Sequence, residues 1–438
     1  MIKNIFLCIL CTYFFAGCFE MGPTYSKLPP GPWRAVLKLD PEKNASEEIR
    51  RETRAGTQLE FDEVTEGDLP FNFEVVYTDP DKFYIEIINA DERIRLDEIV
   101  YLKDRATIKD TLIINFPPYD SYFKVLFEDN ILEGYWHVPS RVNYQIHFIA
   151  KHGQNHRFTN LKKAPVADLS GKWEVYFGLE DTVPEPAVGE FKQNGNRLTG
   201  TFLTETGDYR FLEGTVQANK MYLSCFDGAH MFLFEALIKE DGTLSGVFRS
   251  GTHFMTTWSG KRNADFSLRN ADSLTFLKSE KFDFSFPDVN GKMVSLNDSV
   301  FDGKPKIIQI LGTYCPNCVD ETKFLTEYLA RKKPDLEVIG LAFERHEEAD
   351  KAKMAIKRFK SKLGISYPLL YAGPSDLAEA SKRLPQLNGI ISYPTLIFLN
   401  RANEVVRIHT GFTGPATSQY EAFVDKFDRT VKQLLEEI

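Results

Sequence analysis

The chain is short of cysteine. Its 438 residues hold six, and three of them, Cys8, Cys11 and Cys18, fall at the extreme N-terminus. The remaining three, Cys225, Cys315 and Cys318, are too few to staple a chain of this length, so the one close pair is kept for chemistry rather than for scaffolding. No second Cys-x-x-Cys and no Cys/His cluster exists downstream of the leader, which removes the other two ligands a zinc site would need. A structural disulfide across so small a loop would constrain little of the unfolded chain. There is no basic surplus either. A net charge of −9 and a pI near 5.6 leave nothing to neutralise phosphates, which excludes nucleic acid as a partner. Beyond the leader no apolar run is long enough to span a membrane. Disorder is excluded as well, because the hydrophobic fraction of 43% is that of packed domains.

What the chain has is aromatics. Thirty-five Phe and eighteen Tyr point to β-rich architecture with cross-strand aromatic packing. From Trp33 to about His152 the pattern is strand after strand, and 142–148 (VNYQIHF) alternates apolar and polar with period two. A second β run spans about 169–263, with turn signals at Asn194-Gly195-Asn196 and Asp241-Gly242. The two regions read as repeats of one plan. Gly31-Pro32-Trp33 opens the first as Gly171-Lys172-Trp173 opens the second, and the hairpin around Asp129-Asn130 parallels that around Asp241-Gly242. The charged stretch 40–68 is expected as a loop or a covering excursion. After 280 the pattern changes to strands interleaved with helices, which is an α/β sheet. The expected class is therefore two antiparallel all-β domains, barrel or sandwich, followed by an α/β domain. The division expected is a leader at 1–17, a tether at 18–32, β domains at 33–165 and 166–265, a linker at 266–280, and the α/β domain at 281–438.

Chemistry concentrates in Tyr314-Cys315-Pro316-Asn317-Cys318, directly after the apolar run 307–311. A strand ending in Cys-x-x-Cys that opens a helix is the redox centre of a thioredoxin-like fold. The helix N-terminus offers free N–H groups and positive partial charge, favouring the Cys315 thiolate. Lowering a thiol pKa from about 8.5 to about 7 raises the thiolate fraction at neutral pH from roughly 3% to roughly half. Cys318, one turn on, is placed to resolve a mixed disulfide. No metal or other cofactor is called for. His147, His152 and His156 are weak metal candidates, since no partner carboxylate is evident near His147. Cys225 reads as a buried strand thiol, and the basic run 351–362 as a solvated helix face.

The segment 286–322, FPDVNGKMVSLNDSVFDGKPKIIQILGTYCPNCVDET, with Tyr393-Pro394-Thr395-Leu396 downstream, resembles the TlpA/ResA-like disulfide reductases of the thioredoxin fold. The resemblance covers about 281–438, and the preceding β regions look like those of Bacteroidetes relatives. It implies that Cys315 attacks, that Cys318 resolves, and that Glu321 is the family's active-site glutamate, handling protons beside the second thiol. The bland reading of Glu321 is an acid favoured in a helix first turn. Pro394 matches the cis-proline facing the pair, presenting the backbone of Tyr393 to a substrate strand. Tyr314, Tyr393 and Thr395 are the expected substrate-binding residues. Tyr314 stands where Trp is common, and Gln309 where thioredoxins proper carry a buried acid. Peroxiredoxins share the fold, but their Pro-x-x-x-Thr/Ser-x-x-Cys signature would need Pro at 308 and Thr or Ser at 312; the chain has Ile308 and Gly312.

The leader carries Lys3, an apolar core at 5–15, and Phe15-Ala16-Gly17-Cys18. The last four residues resemble a bacterial lipobox with Phe in place of Leu, which implies lipidation of Cys18; cleavage without lipidation is the alternative. The Pro- and Gly-rich 19–32 stretch reads as a tether. The expected protein is thus lipid-anchored in the cell envelope, on the periplasmic side, acting on disulfide-containing proteins. By resemblance, a membrane thiol conveyor of the CcdA/DsbD type would supply electrons. The rival from another class is a binding lipoprotein whose β domains capture a ligand while the redox domain acts as a sensor.

Overall fold

In a computed structural model, residues 25, 27–39, 64–103 and 109–436 are described. The expectations for Cys18 and for most of the 40–68 stretch lie outside the described residues. Among the described residues no helix is long and apolar enough to cross a membrane.

Two nine-stranded antiparallel sheets make up the N-terminal part. The first strand of the first sheet, Gly31–Lys38, pairs with both the second, Asp68–Asp79, and the last, Gln145–His152. The strands at the two ends of the sheet order, Glu92–Leu96 and Ile99–Leu102, are separated in sequence only by Asp97 and Glu98. A sheet whose outermost strands are chain neighbours has to curl round on itself, so it is barrel-like. The second sheet closes fully: Glu185–Asn194 pairs with Gly171–Phe177 on one side and with Arg197–Thr204 on the other.

The repeated plan is visible at the two openings. Gly31 (φ +98°) and Gly171 (φ +113°) both adopt a conformation that favours glycine. Each sits two residues before a buried Trp that donates its indole N–H to the carbonyl four residues back, Trp33 to Pro29 (3.2 Å) and Trp173 to Leu169 (2.9 Å). The two barrels are not independent. Phe226, from the second, is packed against Phe71, Phe116, Phe123 and Trp136 of the first, with centroid separations of 4.7 to 5.6 Å.

The C-terminal domain is a five-stranded mixed sheet in the order Leu369–Pro374, Glu337–Glu344, Lys306–Leu311, Thr395–Leu399, Val405–Thr410. The first three run parallel and the last two antiparallel. Helices Pro316–Lys332 and Tyr420–Glu436 pack through Phe324, Tyr328 and Phe427, with ring separations of 4.9 and 5.0 Å. This is the thioredoxin-like arrangement, and with the two barrels it gives the three-part fold class expected.

Four local expectations need correction. The strand expected over 142–148 begins at Gln145, because Asn143 takes φ +54° in a turn and Val142 is 93% exposed. His147 does have a carboxylate partner, Glu133 at 3.2 Å on the neighbouring strand, although no cluster fit for a metal occurs among the described residues. The 266–280 linker is not free: Asp272 holds Arg407 (2.8 Å), His409 (2.7 Å) and Lys426 (2.6 Å) of the C-terminal domain. The basic helix Ala349–Lys362 is not merely solvated, since Lys362 pairs with Glu98 and Arg358 donates to the Pro118 carbonyl at 3.2 Å, both on the first barrel.

Candidate active site

The apolar strand Lys306–Leu311 is fully buried and delivers the chain to Gly312 at the C-terminal end of the parallel sheet, where α/β folds gather their sites. Cys315 then caps the helix Pro316–Lys332. Its extended backbone (φ −94°, ψ 115°) leaves the sulfur facing the first turn, where it accepts the Cys318 N–H at 3.4 Å. Pro316 occupies the first turn, where a missing N–H costs nothing.

The two sulfurs sit in different surroundings. Cys315 is half-buried, Cys318 has no exposed surface, and both are free thiols. The hydrogen bond from the Cys318 side chain holds the Cys315 thiol below its ordinary range against burial; the Cys318 and Asn317 N–H groups and the Arg345 charge add to it. Burial, together with the adjacent Cys315 sulfur and Glu321, pushes Cys318 well up. One thiol is thus primed and the other kept protonated, the asymmetry that attack followed by resolution requires.

Glu321 lies one turn beyond Cys318 and is wholly buried. Burial pushes its carboxyl well above the usual range, and the bond donated by Gln309 Nε2 to Oε2 (2.9 Å) offsets this only in part. Its Oε1 has no hydrogen-bond partner among the described residues. Gln309 is fixed in turn by Thr322 (3.1 Å) and by the Tyr367 hydroxyl (2.9 Å). Gln309 thus has its amide partnered while one oxygen of Glu321 is left open inside the protein, and the first turn of the helix holds no acid.

Across from the pair the Tyr393–Pro394 peptide is cis, and the Cys315 thiol points to the Tyr393 carbonyl at 3.6 Å. Tyr314 is half-buried beside Cys315, with the Arg345 guanidinium 3.9 Å from its ring centroid. Thr395 is not brought into the site. It is 1% exposed and donates its hydroxyl to the Ser392 carbonyl (2.9 Å), bracing the proline loop from within. Cys225 is buried inside the second barrel, away from the pair.

Several neighbours carry no motif. Glu344 accepts from the Thr313 N–H (3.1 Å) and hydroxyl (2.8 Å), fixing the approach to Tyr314, and burial pushes its carboxyl up to about 7. The hairpin turn at 204–210 of the second barrel leans on the site: Asn317 Nδ2 donates to the Asp208 carbonyl (3.4 Å), and Ser392 Oγ to that of Thr206 (3.2 Å). A Cβ on Gly207 would stand 2.3 Å from Asn317 Nδ2. Arg210, at the end of the turn, binds Asp320 on the cysteine-bearing helix. The one signal in the sequence for Glu344 and Arg345 is their place at the end of a parallel strand.

The Redoxin family model matches residues 278–424. The thiol-disulfide oxidoreductase ResA of Halalkalibacterium halodurans is 26% identical over 154 residues, 35% of this chain and 78% of that protein. ResA of Bacillus thuringiensis is 25% identical over 140 residues, 30% of this chain and 72% of that protein. Among solved structures, the thioredoxin domain of a thiol-disulfide oxidoreductase from Bacteroides vulgatus is 22% identical over 35% of this chain and 97% of its own, with a TM-score of 0.25.

Proposed function

From a chain whose C-terminal domain makes it a TlpA/ResA-like thiol–disulfide oxidoreductase, we propose that it acts as a reductant of protein disulfides outside the cytoplasm, held to a membrane through lipidated Cys18. The observation that carries the reading is the asymmetric pair: a half-exposed Cys315 with its thiol lowered, backed by a buried Cys318 with its thiol raised.

Cys315 thiolate attacks one sulfur of the substrate disulfide; that S–S bond breaks and the departing sulfur leaves as a thiolate that takes up a proton. Cys318 then gives up its proton, for which Glu321, a buried carboxyl whose charge acts on that thiol, offers a relay, and attacks Cys315 of the mixed disulfide. The substrate leaves as a dithiol carrying two electrons, and the enzyme is left with a Cys315–Cys318 disulfide. Continued turnover requires a dithiol donor, and a membrane conveyor of the CcdA/DsbD type is the proposed source. The cis-proline loop supports the reading by presenting the Tyr393 carbonyl next to the attacking sulfur. The leader's apolar core and Phe15-Ala16-Gly17-Cys18 support the anchor.

The test is trapping. Cys318→Ser is expected to accumulate covalent adducts with disulfide substrates, visible on a non-reducing gel, and Cys315→Ser is expected to accumulate none. Equal trapping by both variants would contradict the assigned order. The direction of flow is tested by the reduction potential of the pair: a value well below the poise of the compartment supports a reductant, and one well above it an oxidant.

A further inference from the structure

Cys315 does not open onto bare solvent. It lies in a groove of about 650 Å³ walled by all three domains. The 204–210 turn closes one flank of the sulfur, so a substrate has to enter along this groove. Three exposed apolar side chains line it, Phe254 of the second barrel (49%) and Leu377 and Ile391 of the C-terminal domain (42% and 39%). Large apolar groups left in water around a reactive atom, from two separate domains, mark a contact surface rather than ordinary scatter.

The polar lining has one sign. Arg141 of the first barrel and Arg345 both face the groove, with His253 between the barrels, and among the described residues no Asp or Glu lines it; the acids Asp120 and Glu344 lie in the adjoining cavity behind the two arginines. Neither arginine has a carboxylate within ion-pair distance among the described residues. Arg141 is instead turned to His253 Nδ1 (3.2 Å) and the Tyr144 ring (4.8 Å), and Arg345 lies over Tyr314. Asp120 and Glu344 are close enough for their charges to couple to Arg345 but lie outside ion-pair distance of it, Asp120 sitting 3.6 Å from His346 and Glu344 accepting from Thr313. Two unpaired guanidiniums beside an apolar wall call for an anionic, partly apolar visitor.

We propose that the β-barrels supply a specificity wall for the redox site, which takes an extended, cysteine-bearing polypeptide segment with an apolar and an acidic side chain next to the disulfide. This rests on the reading that Cys315 and Cys318 exchange with substrate disulfides. The second barrel blocks one flank, the apolar trio holds the neighbouring side chain, and Arg141 and Arg345 hold the carboxylate.

The experiment uses the full chain with dithiothreitol as reductant and three probes. One is hydroxyethyl disulfide, small and uncharged; the other two are peptide disulfides with Leu beside the cysteine, identical except for Glu or Lys at the next position. The wall predicts a kcat/KM for the Glu peptide roughly threefold to tenfold above that for the Lys peptide, carried by KM and shrinking with added salt. Arg141→Glu is expected to erase or invert that ratio, with hydroxyethyl disulfide as the reference for each protein. Phe254→Ser, at a position 49% exposed, is expected to lower turnover of both Leu peptides against the same reference. Equal turnover of the two peptides, with hydroxyethyl disulfide reduced normally, overturns the wall and leaves the redox reading standing. No acceleration of hydroxyethyl disulfide reduction above the rate with dithiothreitol alone overturns both.

Discussion

Behind the sulfurs stand two buried carboxyls, Glu321 and Glu344, and each is easier to keep neutral than charged. Glu344 gives a pH test with a definite sign. Its folded value near 7 lies above the ordinary 4.5, so the folded state holds the proton more tightly than the unfolded chain does. The stability this contributes is fully present below about pH 4.5 and is lost as pH rises through about 7. Glu344→Gln removes the titration but keeps an oxygen for Thr313, so the variant is expected to lose less stability than the wild type across that interval. Parallel melting temperatures of the two proteins from acid to neutral pH would contradict the burial argument. At this scale the sequence was informative where the chemistry is local. The placement of Cys315, Cys318, Glu321 and Pro394 near one another is legible because a short spacing on one helix, or a tetrapeptide at a strand start, fixes where they fall. Glu344 and Arg345 reach the site across about thirty residues of chain, and nothing in their own neighbourhood says so. Thr395 was misplaced for a related reason: adjacency to a proline loop does not say which way a hydroxyl turns, and the Ser392 carbonyl claims it.

Among the elements, those with a clean period were legible. The fully buried Lys306–Leu311 and Thr395–Leu399 strands lie where their apolar runs place them. The edge strand starts at Leu369, after Tyr367 and Pro368. Tyr367 is needed to hold Gln309, and proline supplies no N–H to a ladder. Alternation misled at 142–148, where a turn with a positive φ at Asn143 happens to continue the apolar–polar rhythm. Basic residues on Ala349–Lys362 look like a solvated face in one dimension. They prove to be a docking edge, because their partners, Glu98 and the Pro118 carbonyl, sit more than two hundred residues earlier. Periodicity reports which face is buried, not what a charged face meets.

For the whole molecule the arrangement of three domains was the least legible part, and it rests on buried charge. Arg210 is 5% exposed and is ringed by Glu92 of the first barrel, Asp227 of its own barrel and Asp320 of the catalytic helix. Removing a buried cation leaves its partners uncompensated, at a typical cost of about 3–5 kcal/mol. Arg210→Leu is therefore expected to lower the free energy of unfolding by that amount, to move the denaturant midpoint down accordingly, and to split unfolding into separate transitions for barrels and redox domain. An unchanged, single transition would mean that the junction is ornamental to stability. The same junction holds the 204–210 turn beside Cys315, so the barrels and the redox centre are joined by direct contacts.

The most direct test of the asymmetric pair is alkylation of the reduced full chain with iodoacetamide at a series of pH values, with each cysteine followed by mass spectrometry. Cys315 is predicted to react first, along a single titration centred below the ordinary thiol range, while Cys318 stays unmodified until the fold is lost. Equal reactivity of the two, or a Cys315 titration at or above that of a free thiol, would contradict a primed nucleophile at this helix start.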